Sequence, residues 1–414
     1  MDYLQLAKTY KTPLYVYDLA KITDAFSEMK DAFKARKSLV CYALKANSNL
    51  SIIHHLAKLG SGADCVSIGE VKRALKAGIP KYKIIFSGVG KQDIEIEEAL
   101  QSDILFLNVE SEEELFRIES IAKKLDKVAR ISVRVNPNID AKTHPYISTG
   151  LSENKFGVDI EQAKSMYIFA KNAPNLEPIG IHFHIGSQLT DLEPIKQSAQ
   201  KIAELAHSLL ALKIDLKFFD IGGGIGICYT DETLINPYDY AQAILGALYG
   251  LDLTIICEPG RFLVGESGVL LTSVLYEKHN GKKRFVIVDA AMNDLIRPAL
   301  YQATHEVEYI LKDNRESHTL TDNLCDVVGP ICESSDYLAK NIKLPSLQAG
   351  DVLVLKNAGA YGYSMASNYN TRPRPAEVAF MGEDVRVIKH RESLDDMMRD
   401  EAELLQNYED SKCD

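Results

Sequence analysis

From about residue 38 to residue 261, short apolar runs alternate with stretches whose apolar residues recur every three or four positions. This is the pattern of strands and amphipathic helices in successive βα units. Eight runs read as strands: Leu39 to Lys45, Ala63 to Ser67, Ile84 to Ser87, Ile104 to Val109, Ile131 to Val135, Gly180 to Ile185, Phe218 to Ile221 and Thr254 to Cys257. Between them, Leu115, Ile118 and Ile121 or Ala122 share one face of a helix, and Ile195 to Leu212 repeats the pattern. Eight strands are the number that closes a barrel, so the leading fold is α/β, a (β/α)8 TIM-like barrel, with an open doubly wound sheet as the alternative. After Gly268 the rhythm changes to strand-rich runs (Gly268 to Leu275, Arg284 to Asp289, Asp326 to Val328, Asp351 to Lys356) separated by Gly, Asn and Pro turns. That change predicts an all-β C-terminal domain. The expected division is a barrel over residues 25–267 and a β-barrel or β-sandwich domain over 1–24 and 268–414. The early run Pro13 to Tyr17 is expected to pair with the second domain. The acidic end, Glu392 to Asp414, reads as a surface helix and tail, with Leu394, Met397, Met398, Leu404 and Leu405 on a weak apolar face.

Composition narrows the partners more than it names a function. A chain of 414 residues exceeds one ordinary core, and a formal net charge of -11 argues against nucleic acid or an anionic membrane as the main partner. Seven scattered cysteines without a CxxC pair suggest reduced thiols, and no stretch resembles a leader or a membrane span. A cytoplasmic protein is expected.

The chemistry is expected where barrel strands end. Lys45 closes the first strand, and alternation places Cys41, Ala43 and Lys45 on one face with small side chains below the amine. Such a lysine either snorkels to solvent or has a chemical task. The second strand carries Asp64, and the sixth carries His182 and His184 followed by Gly186, Ser187 and Gln188. The seventh runs into Gly222-Gly-Gly-Ile-Gly226, and the eighth into Glu258, Pro259, Gly260 and Arg261.

The glycine run allows backbone N–H groups to approach a phosphate, although a tight turn explains it equally. No Lys-Ser/Thr follows, and Tyr229 occupies the third glycine position of a dinucleotide pattern, so neither nucleotide motif is met. Ser187 and Arg261 would complete an anion pocket. His182 and His184 could face one way as metal ligands, but a metal centre needs further ligands at other strand ends, and no metal is assigned. One histidine stacked on an aromatic cofactor with the other packed explains the pair as well. If Lys45 holds pyridoxal phosphate as a Schiff base, Glu258 beside the pyridine nitrogen keeps it protonated, which favours decarboxylation. A racemase of similar plan is expected to place an arginine there.

The runs Tyr42 to Asn47, His184 to Gln188, Gly222 to Gly226, Glu258 to Arg261, Val328 to Ser334 and Ala360 to Asn370 together resemble the diaminopimelate decarboxylase family over nearly the whole chain. That family belongs to the alanine-racemase-like, fold-type III pyridoxal phosphate enzymes, in which a barrel and a β domain work as a homodimer with shared active sites. The resemblance makes Lys45 the Schiff-base lysine, His184 the ring-stacking residue and Glu258 the partner of the pyridine nitrogen. It adds Asp64, Ser187, Pro259 and Gly260 to the cofactor site. Gly223, Gly224, Arg261 and Tyr361 would hold the phosphate or the nearby substrate carboxylate.

For the substrate, Arg297 and Tyr301 fit the family's clamp on a distal carboxylate, a task suited to a bidentate guanidinium. Read without the resemblance, they would be surface residues. Cys332 and Glu333 are expected to reach the site from the partner subunit, the thiol as proton donor and the carboxylate on the distal ammonium. Ornithine-type relatives have an acidic neighbour of different length after the cysteine and no need of the clamp. The family's Asp-Ala-Gly-Met run reads Asp289-Ala-Ala-Met292 here. The resemblance therefore implies pyridoxal-phosphate-dependent decarboxylation of meso-2,6-diaminopimelate to L-lysine and CO2, the last step of lysine biosynthesis. The alternatives are decarboxylation of another basic amino acid or of carboxynorspermidine, and a non-catalytic cofactor-binding homologue. The long connection from Asn136 to Asn154 is a candidate lid.

Overall fold

The computed structural model describes residues 1–140, 154–312 and 324–410, so most of the connection considered as a lid lies outside the described residues. The chain divides into two compact units, residues 20–265 and residues 1–19 with 266–414. Strand β1 (Leu14–Asp18) belongs to the second unit.

In the first unit the strands are β2 (Ser38–Ala43), β3 (Gly62–Cys65), β4 (Ile84–Phe86), β5 (Phe106–Val109), β6 (Ala129–Arg134), β7 (Leu176–His182), β8 (Phe218–Asp220) and β9 (Thr254–Cys257). Among the described residues these eight close a parallel barrel, sealed where β2 pairs β9 through Val40 and Cys257. The closed barrel, not the open sheet, is the fold. Its helices start as the sequence allows: Asn49, Ser67, Ser111 and Asp159 each accept a backbone N–H with the side chain, satisfying donors the helix leaves open. The helix Glu112–Lys124 buries Leu115, Ile118 and Ala122, the face its periodicity predicts.

Inside the barrel, Cys41, Ile85, Phe106, Ile179 and Ile256 form an apolar plug with Leu39 and Phe218 packed against it. Alternation then decides what lies above. Asp220 follows Phe218 by two positions and Glu258 follows Ile256 by two, so the same inward face turns from apolar to acidic at the strand ends.

One strand ends earlier than expected. β2 stops at Ala43 and Leu44–Ala46 is a single 3-10 turn, so Lys45 does not share a pleated face with Cys41 and Ala43. The apolar character of the run concealed the turn, since periodicity does not mark where a strand stops.

The second unit is built around β1, which pairs antiparallel with β10 (Gly268–Asn280) and parallel with β16 (Ala376–Met381). Among the described residues its sheet also contains β11 (Lys283–Val288), β12 (Val307–Ile310), β13 (Cys325–Val328), β14 (Ala339–Ile342), β15 (Val352–Leu355) and β17 (Asp384–Lys389). Its core is a set of i, i+2 pairs, Leu14 with Val16, Val269 with Leu271, Val352 with Val354 and Ala376 with Val378. The helix Tyr3–Tyr10 and the hairpin of β16 and β17 were not anticipated. The stretch Glu392 to Asp414, read as a surface helix and tail, contains among its described residues the helix Leu394–Asp410, with Leu404 and Leu405 exposed.

Asp294 in this unit is 2 % exposed, and burial pushes its carboxyl up to about 7 despite the Ala291 N–H donated to it at 2.9 Å. A carboxyl raised on folding contributes stability below its unfolded value that is lost as pH rises through the folded one. Urea midpoints are therefore expected to fall between about pH 4 and above about pH 7, and Asp294→Asn is expected to flatten that fall.

Candidate active site

Four ionisable side chains crown the plug of the barrel: Asp64, His182, Asp220 and Glu258, each 5 % exposed or less. Strand register puts them there. His182 is paired with Asp220 across β7 and β8, Asp220 is paired with Ile256 across β8 and β9, and Glu258 lies two residues beyond Ile256. His182 Nε2 comes to 3.4 Å from Glu258 Oε2. Burial raises the Glu258 carboxyl, but the attraction of His182 and then of Lys45 outweighs it and holds the group down to about 2. Glu258 is thus an ionised carboxylate in a dry setting. The two histidines do not act as a pair: β7 ends at His182, which is buried against Asp220 and Glu258, whereas His184 lies beyond the strand and is half-buried.

Lys45 stands over this layer. Its side chain is 41 % exposed and its Nζ lies 3.6 Å from Oδ2 of Asp64, which is 1 % exposed. The Asp64 carboxyl is raised by burial and by the charge of Glu258, with Lys45 opposing both. His184 is held well below its ordinary value by burial and by the positive charges of Lys45 and Arg134, so its imidazole is neutral. Its Nδ1 accepts the Gly223 N–H at 3.2 Å, which leaves the proton on Nε2.

The glycine run has a steric cause that can be stated atom by atom. A Cβ on Gly223 would lie 2.1 Å from the Glu258 carbonyl oxygen, and one on Gly224, where φ is +111°, would lie 2.2 Å from that of Gly186. The Glu258 N–H donates to the Gly222 carbonyl at 2.8 Å, locking the two turns together. Gly223→Ala is accordingly expected to displace the Glu258 turn and destabilise the fold by roughly 1–3 kcal/mol. Urea unfolding together with a cofactor titration checks this, with weakened cofactor retention expected.

Beside the run, Arg261 donates from Nη1 to the Tyr229 hydroxyl at 2.7 Å and from Nη2 to Ser187 Oγ at 3.1 Å. Ser187 and Arg261, expected to share an anion pocket, do meet. Tyr229, noted only because it spoils a nucleotide motif, is their third member. Pro259 and Gly260 link Glu258 to Arg261, and the Pro259 carbonyl accepts the Ala43 N–H at 3.4 Å.

The remaining predicted site residues belong to the second unit. Arg297 opens the short helix Arg297–Tyr301 and is 6 % exposed, not a surface residue. Its Nη1 donates to His305 Nε2 at 2.9 Å, so His305 carries its proton on Nδ1, which donates to the Lys356 carbonyl at 2.7 Å. No spacing in the sequence marked His305 as the support of Arg297. Tyr301 and Tyr361 are half-buried, the latter at φ +57°. Cys332 and Glu333 are exposed. The Cys332 N–H donates to Asn370 Oδ1 at 2.8 Å, and Ser335 Oγ donates to Glu333 Oε1. Asp336 ties their loop to the turn before Arg297 by accepting the Ile331 and Met292 N–H groups, each at 2.8 Å.

Comparison with known proteins places these residues in a family context. The sequence model described as "Pyridoxal-dependent decarboxylase, pyridoxal binding domain" matches residues 19–265. The chain is 61% identical to the diaminopimelate decarboxylase of Helicobacter pylori strain J99 over 406 residues, covering 98% of this chain and 99% of that protein. It is 58% identical to that of Campylobacter jejuni over 406 residues, covering 98% and 100%. The crystal structure of the H. pylori enzyme complexed with L-lysine superposes with a TM-score of 0.93 at 60% identity, covering 97% of this chain and 100% of that one.

Proposed function

Because the chain belongs to the diaminopimelate decarboxylase family of pyridoxal-dependent enzymes, we propose that it removes one carboxylate from meso-2,6-diaminopimelate, giving L-lysine and CO2 in the last step of lysine biosynthesis. The observation that carries this reading is the pairing, within one barrel mouth, of a solvent-reaching amine at Lys45 with an ionised, fully buried carboxylate at Glu258.

The residues present fit pyridoxal phosphate. A wall of glycines leaves no room for side chains, Asp64 presents two buried oxygens, and Ser187 and Arg261 supply donors for an anion. When bound, the cofactor supplies an electron-withdrawing ring that takes up the electron pair left by the departing CO2. Lys45 would hold it covalently through Nζ, and the neutral ring of His184 would offer it a flat face without a competing charge. Glu258 keeps a proton on the ring nitrogen by presenting negative charge to it. Gly223, Gly224, Ser187 and Arg261 would hold the phosphate, with Pro259 and Gly260 shaping the turn that carries Arg261, and the family resemblance assigns Tyr361 to the same task. Arg261 and Tyr361 also border the substrate carboxylate.

Arg297, braced by His305, grips the distal carboxylate with Tyr301. Cys332 returns a proton from Sγ to the carbon that loses CO2, and Glu333 binds the distal ammonium. Both are exposed on the single chain, which supports their reaching the active site of a partner in a homodimer. The six described cysteines are outside any disulfide, which supports a cytoplasmic setting. Among the described residues no helix is long and apolar enough to cross a membrane.

Incubating the purified protein with pyridoxal phosphate and meso-diaminopimelate is expected to yield lysine and CO2. Preferential turnover of ornithine or arginine would reject the substrate assignment. Arg297→Lys, which keeps the charge but not the fork, separates the clamp from general electrostatics: it should raise KM for diaminopimelate by about 10-fold or more.

A further inference from the structure

Asp220 is a buried acid at the centre of the barrel that the chemistry above leaves without a task. It ends β8, and its Oδ1 accepts the Gly222 N–H at 2.9 Å. Its Oδ2 is fully buried with no conventional donor, and so is Oε1 of Glu258. One carboxyl oxygen of Asp220, one of Glu258 and a ring nitrogen of His182 fall within 4.8 Å of one another.

Two ionised carboxylates in that arrangement repel by about 4 kcal/mol at an effective protein dielectric of about 20, with desolvation added. A proton held between them turns the repulsion into a strong hydrogen bond and supplies the missing donor. The surroundings decide which acid keeps it. Glu258 has His182 Nε2 at 3.4 Å. His182 also lies within 4.8 Å of Asp220 but makes its close ion contact with Glu258, and the remaining ionisable groups facing Asp220 are Asp64, Cys41, Cys257 and Tyr240, none of them a cation. Burial pushes both thiols and the phenol up, so these three stay neutral. Burial and then the charge of Glu258 push the Asp220 carboxyl well above the usual range.

We infer that Asp220 is a neutral carboxylic acid that donates its proton from Oδ2 to Glu258, and is a positioning residue that fixes the rotamer and the negative charge of the carboxylate that would serve the ring nitrogen. Its importance for turnover rests on the proposed role of Glu258. The location of the proton does not. Glu258 is then held by an acid that donates to it and by His182 at 3.4 Å, so that its negative charge would remain available to a ring nitrogen.

Infrared difference spectroscopy of the full-length protein tests this at mildly alkaline pH, where Glu70 and Asp294, each pushed up to about 7, have ionised. The carbonyl stretch of a neutral carboxylic acid is expected in the wild-type-minus-Asp220→Asn difference spectrum. A wild-type-minus-Asp220→Asn difference spectrum without a carboxylic-acid band overturns the assignment. A stoichiometric metal in the purified protein, removed by chelation, overturns it as well.

Kinetics supply a second readout. The Asn amide keeps a donor and an acceptor in the same place, so Asp220→Asn is expected to recover most of the roughly 10²-fold loss in kcat expected of Asp220→Ala. Equal losses in the two variants would mean that Asp220 acts as an anion and refute the inference. Should Asp220→Ala not fold, the infrared comparison decides alone. If Glu258→Gln keeps full turnover while the band still follows Asp220, the proposed role of Glu258 fails and the proton assignment stands.

Discussion

Lys45→Ala is expected to yield a colourless protein whose decarboxylase activity is lower by at least about 10³-fold, the scale on which covalent catalysis fails without its nucleophile. The amine reaches solvent above a layer of buried acids, so it can attach to a carbonyl entering from the mouth of the barrel. Its second task is electrostatic, since it lies 3.6 Å from the buried Asp64, whose carboxyl is already raised by burial and by Glu258. Removing the ammonium takes away an opposing charge and drives Asp64 further toward its neutral form.

Lys45→Arg separates the two tasks. A guanidinium preserves the charge beside Asp64 but forms no such covalent link at ordinary pH. It should retain wild-type thermal stability and be equally colourless and inactive. Absorbance after dialysis, and mass spectrometry of the peptide containing residue 45 after borohydride reduction, read out attachment directly. A reduced cofactor adduct elsewhere in the Lys45→Ala chain would defeat the assignment.

Glu258→Gln is expected to keep the cofactor and lower kcat by about 10²–10³-fold, the usual cost of removing one preorganised electrostatic partner. The amide occupies the same volume, so the glycine wall and the turn to Arg261 are undisturbed, and KM should change little. The chemical difference is that Gln cannot hold a proton on the ring nitrogen by charge. Rapid-mixing kinetics with diaminopimelate distinguish slow bond cleavage from slow release. Turnover within a fewfold of wild type would show that Glu258 does not control the ring.

Much of the barrel was legible because its signal is local. All eight strands were found, since a buried strand between amphipathic helices leaves a short apolar run that needs no partner to be recognised. Their ends were less legible. Whether Lys45 continues a pleat or enters a 3-10 turn depends on the neighbouring backbone, which Ala43 meets through the Pro259 carbonyl. In the second unit the hairpin of β16 and β17 escaped notice because β17 buries none of its residues fully, with Arg386 between its two valines.

The candidate site divides in the same way. Lys45, Glu258 and the glycine run could be picked out because charges and glycines are conspicuous at strand ends. Asp220 precedes the glycine run by two positions and had no role in the sequence reading, since its meaning comes from the oxygen atoms of a residue 38 positions later. Arg297 looked like a surface residue until its burial and its bond to His305 were seen.

The sequence by itself determined the barrel, the β domain and the residue types of a lysine-anchored cofactor site, because periodicity and motif spacing are written along the chain. Only the tertiary structure decided that His182 serves Glu258, that Tyr229 completes the Arg261 pocket and that Asp220 faces Glu258. Those relations arise from strand register and barrel closure, which bring together groups that share no local pattern. A buried charge acquires its ionisation state from such neighbours, not from its own position in the sequence.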